Sequence, residues 1–227
     1  MAKEITIALA GNPNSGKTTV FNNLTGARQH VGNWPGVTVE KKEGSCSYNG
    51  YSIRVVDLPG VYSLTAYSPD EVIARNFILE EKPDVVVDIV DASNLERNLY
   101  LALQLLEMGA WVIVALNMMD EADSRNHRID VAGLSHLLGT PVVPMVANRN
   151  RGTVELFDEI VKVAENKARV KGLKVEYGRE VEEEISKLEK LISQSELSSK
   201  YSPRWLAVKL LERDEEIIKK FREVEHG

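Results

Sequence analysis

The sequence predicts an α/β fold: a mixed six-stranded sheet covered by helices on both faces, followed by a small all-helical subdomain. Three observations predict it. Short apolar runs rich in Val and Ile alternate with amphipathic stretches, which is the pattern of parallel strands joined by crossover helices. A glycine-containing turn, "GNPNSGKT" at 11–18, stands between the first apolar run and the first helical stretch. After about residue 171 the strand-like runs stop while helical periodicity continues.

The elements follow in order. "EITIALA" (4–10) alternates as a strand should, and 17–25 is helical up to Gly26, glycine being the usual helix stop. Runs 43–48 and 52–57 flank Asn49-Gly50, a strong hairpin signal, so one antiparallel pair interrupts an otherwise parallel design. Strands are expected at 84–90, 111–117 and 141–146, with helices at 95–108 before Gly109 and at 153–169 after Gly152. These make a first domain of residues 1–170. "KGLKVEYG" then leads into the second, 171–227, whose first helix carries Val181, Ile185, Leu188 and Ile192 on one face. Ser202 and Pro203 suit the cap and first turn of the next, which carries Trp205, Leu206, Leu210 and Leu211. Asp214 can cap a third, with Ile217, Phe221 and Val224 inward.

Composition narrows the function classes. With 227 residues, 43% of them hydrophobic, the chain can bury a substantial core. Its net charge of −6 disfavours a general grip on nucleic acid or anionic lipid, and the tail from Lys171 onward, at −1, offers no basic appendage. One cysteine, Cys46, permits no internal disulfide and suits a cytosolic setting. No apolar run approaches the roughly 20 residues needed to cross a bilayer. His30, His127, His136 and His226 are scattered without metal-ligand spacing, so they are expected to serve surface or packing roles.

The turn at 11–18 satisfies G-x-x-x-x-G-K-[ST] between a strand and a helix, the required context for a phosphate loop. Gly11 and Gly16 let the amides of Asn12, Pro13's successors Asn14 and Ser15, Gly16, Lys17, Thr18 and Thr19 turn toward an anion, and the following helix offers its N-terminus to the same charge. Lys17 would sit between β- and γ-phosphates. Thr18 would give its hydroxyl to Mg²⁺, whose preference for hard oxygen ligands directs attention to Thr38 in "GVTVE" (36–40) and Asp57 in "VVDLPG". Gly36 and Val37 lead into Thr38, and Gly60 would present its N–H to a γ-phosphate oxygen.

A buried strand ending "VIVALNMMD" puts Asn117, Met118 and Asp120 at the carboxyl end of the sheet, where open α/β folds bind ligands. N-x-x-D is the third element of a guanine site. The Asp120 carboxylate would accept from guanine N1 and N2 hydrogens, which adenine cannot match. An unpaired buried carboxylate opposite adenine corresponds to discrimination on the order of 10⁴-fold. Met118 stands where lysine is customary. The last base loop is placed at Val146, Ala147 and Asn148, with the N–H of Ala147 or Asn148 reaching guanine O6.

Phosphate loop, Thr38, the 57–60 segment and the 117–120 segment occur in the order of Ras-like P-loop GTPases. "HVGNWPGVTVEKKEG", "VVDLPGVYSLTAYSPDE" and "DASNLERNLYLALQLLEMG" further resemble the cytosolic N-terminal portion of the FeoB ferrous iron transporters, over nearly the whole chain. That resemblance implies a GTP/GDP-binding G domain that hydrolyses GTP with Mg²⁺ and then a helical regulatory domain resembling a dissociation inhibitor. It implies a place at the cytoplasmic face of the cell membrane, as the soluble part of a transporter whose transmembrane region is a partner. Assembly into a homo-oligomer is an open expectation.

Where Ras-like switches carry a water-orienting glutamine, this chain has Val61, so intrinsic hydrolysis is expected to be slow. Asn14 resembles the asparagine that related GTPases with an apolar residue there link to K⁺, with backbone carbonyls around Gly32 and Trp34 completing the site; its alternative role is to brace the loop. The catalytic set is thus Lys17, Thr38, Gly60 and Asn14, with Asp70 and Glu71 as weaker water-positioning candidates. The competing reading is a potassium-dependent GTPase of the same superfamily that acts in ribosome or tRNA maturation.

Overall fold

The computed structural model describes residues 3–166, 170 and 173–225. The predicted helix extension over 167–169, the domain boundary at Lys171, His226 and the side chain of Val224 lie outside the described residues. Strands β1 (Lys3–Gly11), β2 (Gln29–Asn33), β3 (Glu40–Tyr48), β4 (Tyr51–Asp57), β5 (Val85–Asp91), β6 (Val112–Asn117) and β7 (Val142–Pro144) form one sheet in the order β2-β3-β4-β1-β5-β6-β7. From β4 to β7 the ladders are parallel, while β3 pairs antiparallel with both β4 and β2. The mixed architecture holds, but the sheet has seven strands among the described residues, where the sequence predicts six. The additional strand, β2, is exposed at every position. "QHVGN" buries no side chain, so it lacks the apolar alternation that marks a strand and is held by its ladder to β3.

Helices α1 (Lys17–Thr25), α2 (Pro69–Glu81), α3 (Leu95–Glu107), α4 (Met119–Ser124), α5 (Val131–Leu138) and α6 (Thr153–Glu165) accompany the sheet. Helix α2 begins with a full capping box: Ser68 accepts from the Glu71 N–H at 3.2 Å, and Glu71 accepts from the Ser68 N–H at 3.2 Å. Central strands β5 and β6 are buried along almost their whole length, as parallel strands covered on both faces must be. Helices α7 (Arg179–Ile192), α8 (Pro203–Leu211) and α9 (Glu215–Glu225) form the tail.

The tail packs on the sheet domain through apolar and ionic contacts. Trp205 is buried, and it and Val208 face Leu106 and Gly109 across a cavity of about 280 Å³. Arg75 of α2 makes an ion pair with Asp214 at 2.5 Å, both side chains being inaccessible to solvent or nearly so (0% and 4%). The other Asp214 oxygen caps α9 by accepting from the Ile217 N–H at 3.1 Å. Lys220 reaches Glu80 at 3.5 Å, so α2 is held to the tail at two points.

Candidate nucleotide-binding site

The carboxyl ends of β1, β4, β5 and β6 converge on one rim, and the loops leaving them carry the site. After β1 the chain turns through Gly11, Asn14 at φ 67° and Gly16 at φ 89°, left-handed values that release the backbone from the strand into α1. Gly16 is required for a second reason. A Cβ there would meet Asn117 Nδ2 at 2.2 Å and lie 3.7 Å from the Met118 methyl. The cap of α1 makes no side-chain hydrogen bond, so its first amides stay available to an anion.

Lys17 pairs with Asp57 in a short contact, both side chains about one-tenth exposed. Burial pushes the Asp57 carboxyl up, against the opposing pull of the Lys17 ammonium. The Val61 N–H donates to the Gly11 carbonyl at 3.2 Å, and a Cβ on Gly60 would stand 3.5 Å from the Pro13 nitrogen. The segment after Asp57 therefore lies directly against the phosphate loop. The Val61 side chain is buried, which explains why an apolar residue stands there and leaves it unable to orient water.

Asn117 ties the phosphate and base regions together. Its Nδ2 donates to the Ser15 carbonyl at 2.9 Å, and its Oδ1 accepts from the Ala147 N–H at 2.9 Å. The Ala147 carbonyl in turn accepts from Asn23 Nδ2 at 2.8 Å. Of the two N–H groups considered for guanine O6, that of Ala147 is thus already engaged, and Asn148 carries the other. Asp120 lies in the first turn of α4, where Oδ1 accepts from the Glu121 N–H at 3.2 Å and Oδ2 stands 3.8 Å from Arg149 Nη2. Val146 bridges to Arg151 and closes the base loop.

Other predicted residues fall differently. Thr18 and Thr38 are exposed, Thr38 in the turn between β2 and β3, and Thr19 is half-buried on α1. Gly36 occupies the same turn at φ 76°, followed by the exposed Val37. Gly32 lies in β2 opposite Lys41, and the Trp34 carbonyl accepts from the Val37 N–H at 3.3 Å. The Trp34 ring packs edge-on to Phe77 with centroids 5.5 Å apart. Asn14 is exposed and its side chain makes no hydrogen bond among the described residues, so it does not brace the loop. Glu71 gathers the Ser63 hydroxyl and the N–H groups of Tyr67 and Ser68, and so holds the segment that leads into α2. The sequence reading did not anticipate Arg149 beside Asp120, nor Arg97, whose guanidinium stacks 4.2 Å from the Tyr62 ring centroid.

Residues 5–160 match the family model of ferrous iron transport protein B. The chain belongs to the FeoB family. Residues 177–226 match the FeoB cytosolic helical domain. The Fe(2+) transporter FeoB of Escherichia coli K12 is 50% identical over 218 residues, 93% of this chain. A fusion of Fe(2+) transport protein A with FeoB from Porphyromonas gingivalis is 46% identical over 94% of it. This chain spans 27% and 26% of those two relatives, about a quarter of their length. The GMPPNP form of the T. maritima FeoB cytosolic domain superposes with a TM-score of 0.91 at 43% identity, covering 97% of this chain and 86% of that one. Of the two branches left open by the GTPase motifs, the chain falls in the FeoB branch. No helix among the described residues is long and apolar enough to cross a membrane, and none of their His, Cys, Asp and Glu side chains gather in threes as a metal site would need.

Proposed function

We propose that this chain is the guanine-nucleotide-binding, GTP-hydrolysing part of a ferrous iron transporter. It works at the cytoplasmic face of the membrane beside the transporter's own transmembrane region. Residues 1–170 form the G domain and 171–227 a helical domain that slows nucleotide release. The observation that carries the reading is the Asn117 bridge, which joins the phosphate loop at Ser15 to the base loop at Ala147 and leaves the Asp120 carboxylate at the rim beside them.

In this reading the N–H groups of residues 14–19 cradle the phosphates, and Lys17 exchanges its Asp57 partner for the β- and γ-phosphate oxygens. Asp57, freed of that lysine, joins the hydroxyls of Thr18 and Thr38 as a set of hard oxygen donors that suits Mg²⁺. When bound, the ion neutralises charge that develops on the phosphates. Gly60 gives its N–H to the γ-phosphate, which pulls the 57–62 segment away from the Gly11 carbonyl that now holds Val61. Loss of the γ-phosphate lets Thr38 and Gly60 go, and helix α2, next in the chain, passes that change to the tail through Arg75. Asn14, exposed on the loop, would hold K⁺ together with carbonyls near Gly32 and Trp34, and the ion would supply positive charge beside the β- and γ-phosphates.

Calorimetric titration tests the base reading. GDP and GTP should bind and ATP should not, whereas Asp120→Asn should lose guanosine preference and gain xanthosine, whose C2 carbonyl meets an amide donor. An unaltered guanosine preference in that variant refutes the proposal.

A further inference from the structure

Met118 leaves the N-x-x-D segment without the cation customary there, and its methyl group lies toward Gly16 on the phosphate-loop side. A cation is nevertheless present. Arg149 Nη2 stands 3.8 Å from Asp120 Oδ2, with the two side chains 60% and 29% exposed. Among the described residues, the only other group on that carboxylate is the backbone N–H of Glu121 at 3.2 Å.

The turn that carries Arg149 is rigidly placed. The Ala147 N–H is bonded to Asn117 and the Ala147 carbonyl to Asn23, the Arg149 N–H donates to the Val146 carbonyl at 2.9 Å, and Thr153 Oγ1 donates to Asn150 Oδ1 at 2.7 Å. The same Asn117 that holds the phosphate loop therefore sets where this guanidinium leaves the backbone.

We propose that Arg149 is an affinity-setting residue of the base site, a planar cation that closes over the guanine ring beside Asp120 and does from the base loop what Met118 cannot. The inference rests on the reading of Asp120 as guanine acceptor. Its chemistry favours this placement. An arginine is weakly hydrated and stacks on π-faces, so it loses little on leaving water. Its pairing with Asp120 is solvent-exposed and long, worth little by itself, and yields readily when the carboxylate turns to the base hydrogens. A stacked cation at an exposed site corresponds to a factor of roughly 2 to 5 in affinity.

The test is stopped-flow release of fluorescent GDP and GTP analogues from wild type, Arg149→Ala, Arg149→Lys, Arg149→Ala/Met118→Lys and Asp120→Asn. Arg149→Ala should release both analogues about 2- to 5-fold faster and by the same factor, because the base is common to them. Arg149→Lys should fall between, and adding Met118→Lys to Arg149→Ala should restore slow release. Unchanged or slower release from Arg149→Ala overturns the inference, as does a change confined to one analogue. Those outcomes are separable from failure of the base reading, which appears only as retained guanosine preference of Asp120→Asn in the calorimetric titration.

Discussion

Replacing Asp88 with asparagine should change how the stability of this protein depends on pH. Asp88 lies on β5 between Ala10 of β1 and Val114 of β6, it is 1% exposed, and neither carboxylate oxygen has a hydrogen-bond partner among the described residues. Burial alone pushes its pKa from 3.8 to about 7. An acid whose folded pKa lies above its unfolded one is held protonated by the fold and ionises on unfolding. Its contribution is therefore fully present below pH ~4, declines as pH rises through the interval between the two values, and is level above pH ~8. The interval is roughly three units at about 1.36 kcal/mol each, or about 4 kcal/mol. Asparagine carries no titrating proton, and all other groups are common to both proteins. The stability of Asp88→Asn relative to wild type should then rise by about 4 kcal/mol between pH 4 and pH 8. In a chain of this size that corresponds to about 8–16 °C in Tm. Urea unfolding followed by tryptophan fluorescence at each pH gives the two curves. If they run parallel, with a constant offset, Asp88 does not titrate in this window and the reasoning is wrong.

Three further outcomes are expected. Gly16→Ala drives a methyl group into Asn117 Nδ2 at a left-handed φ of 89°, so it should break the Asn117 bridge and lower guanine-nucleotide affinity about 100-fold or more, measured by calorimetry. Arg75→Ala leaves Asp214 buried without its partner and should cost about 3–5 kcal/mol in denaturant unfolding and speed GDP release. Arg75→Met/Asp214→Leu should recover most of the stability but not the slow release. GTP turnover should run severalfold faster in K⁺ than in Na⁺, and Asn14→Ala should abolish the difference; equal rates in both salts for wild type would refute the K⁺ proposal.

Much of the rim was legible in the chain because its chemistry is local. Gly11, Gly16, Lys17 and Thr18 are neighbours in sequence, and the backbone conformation they need is written in the residue types themselves. Strands β5 and β6 were legible for a related reason, since burial on both faces demands an unbroken apolar run. Helix α2 carried a readable capping signature in Ser68 and Glu71, although the sequence reading weighed Glu71 only as a weaker water-positioning candidate. Strand β2 carried none, because a strand with every side chain in solvent imposes no pattern.

By itself, the sequence determined the α/β class, the phosphate loop and the order of the nucleotide motifs, because each depends on consecutive residues. Tertiary structure alone decided that Asn117 reaches across 102 residues to Ser15, that Arg75 meets Asp214 139 residues away, and that Asp88 lies between two strands with no hydrogen-bond partner among the described residues. Those are questions of which surfaces meet and what they exclude from water. The price of burying a polar group, and the identity of the atom that offsets it, exist only once the chain has closed on itself.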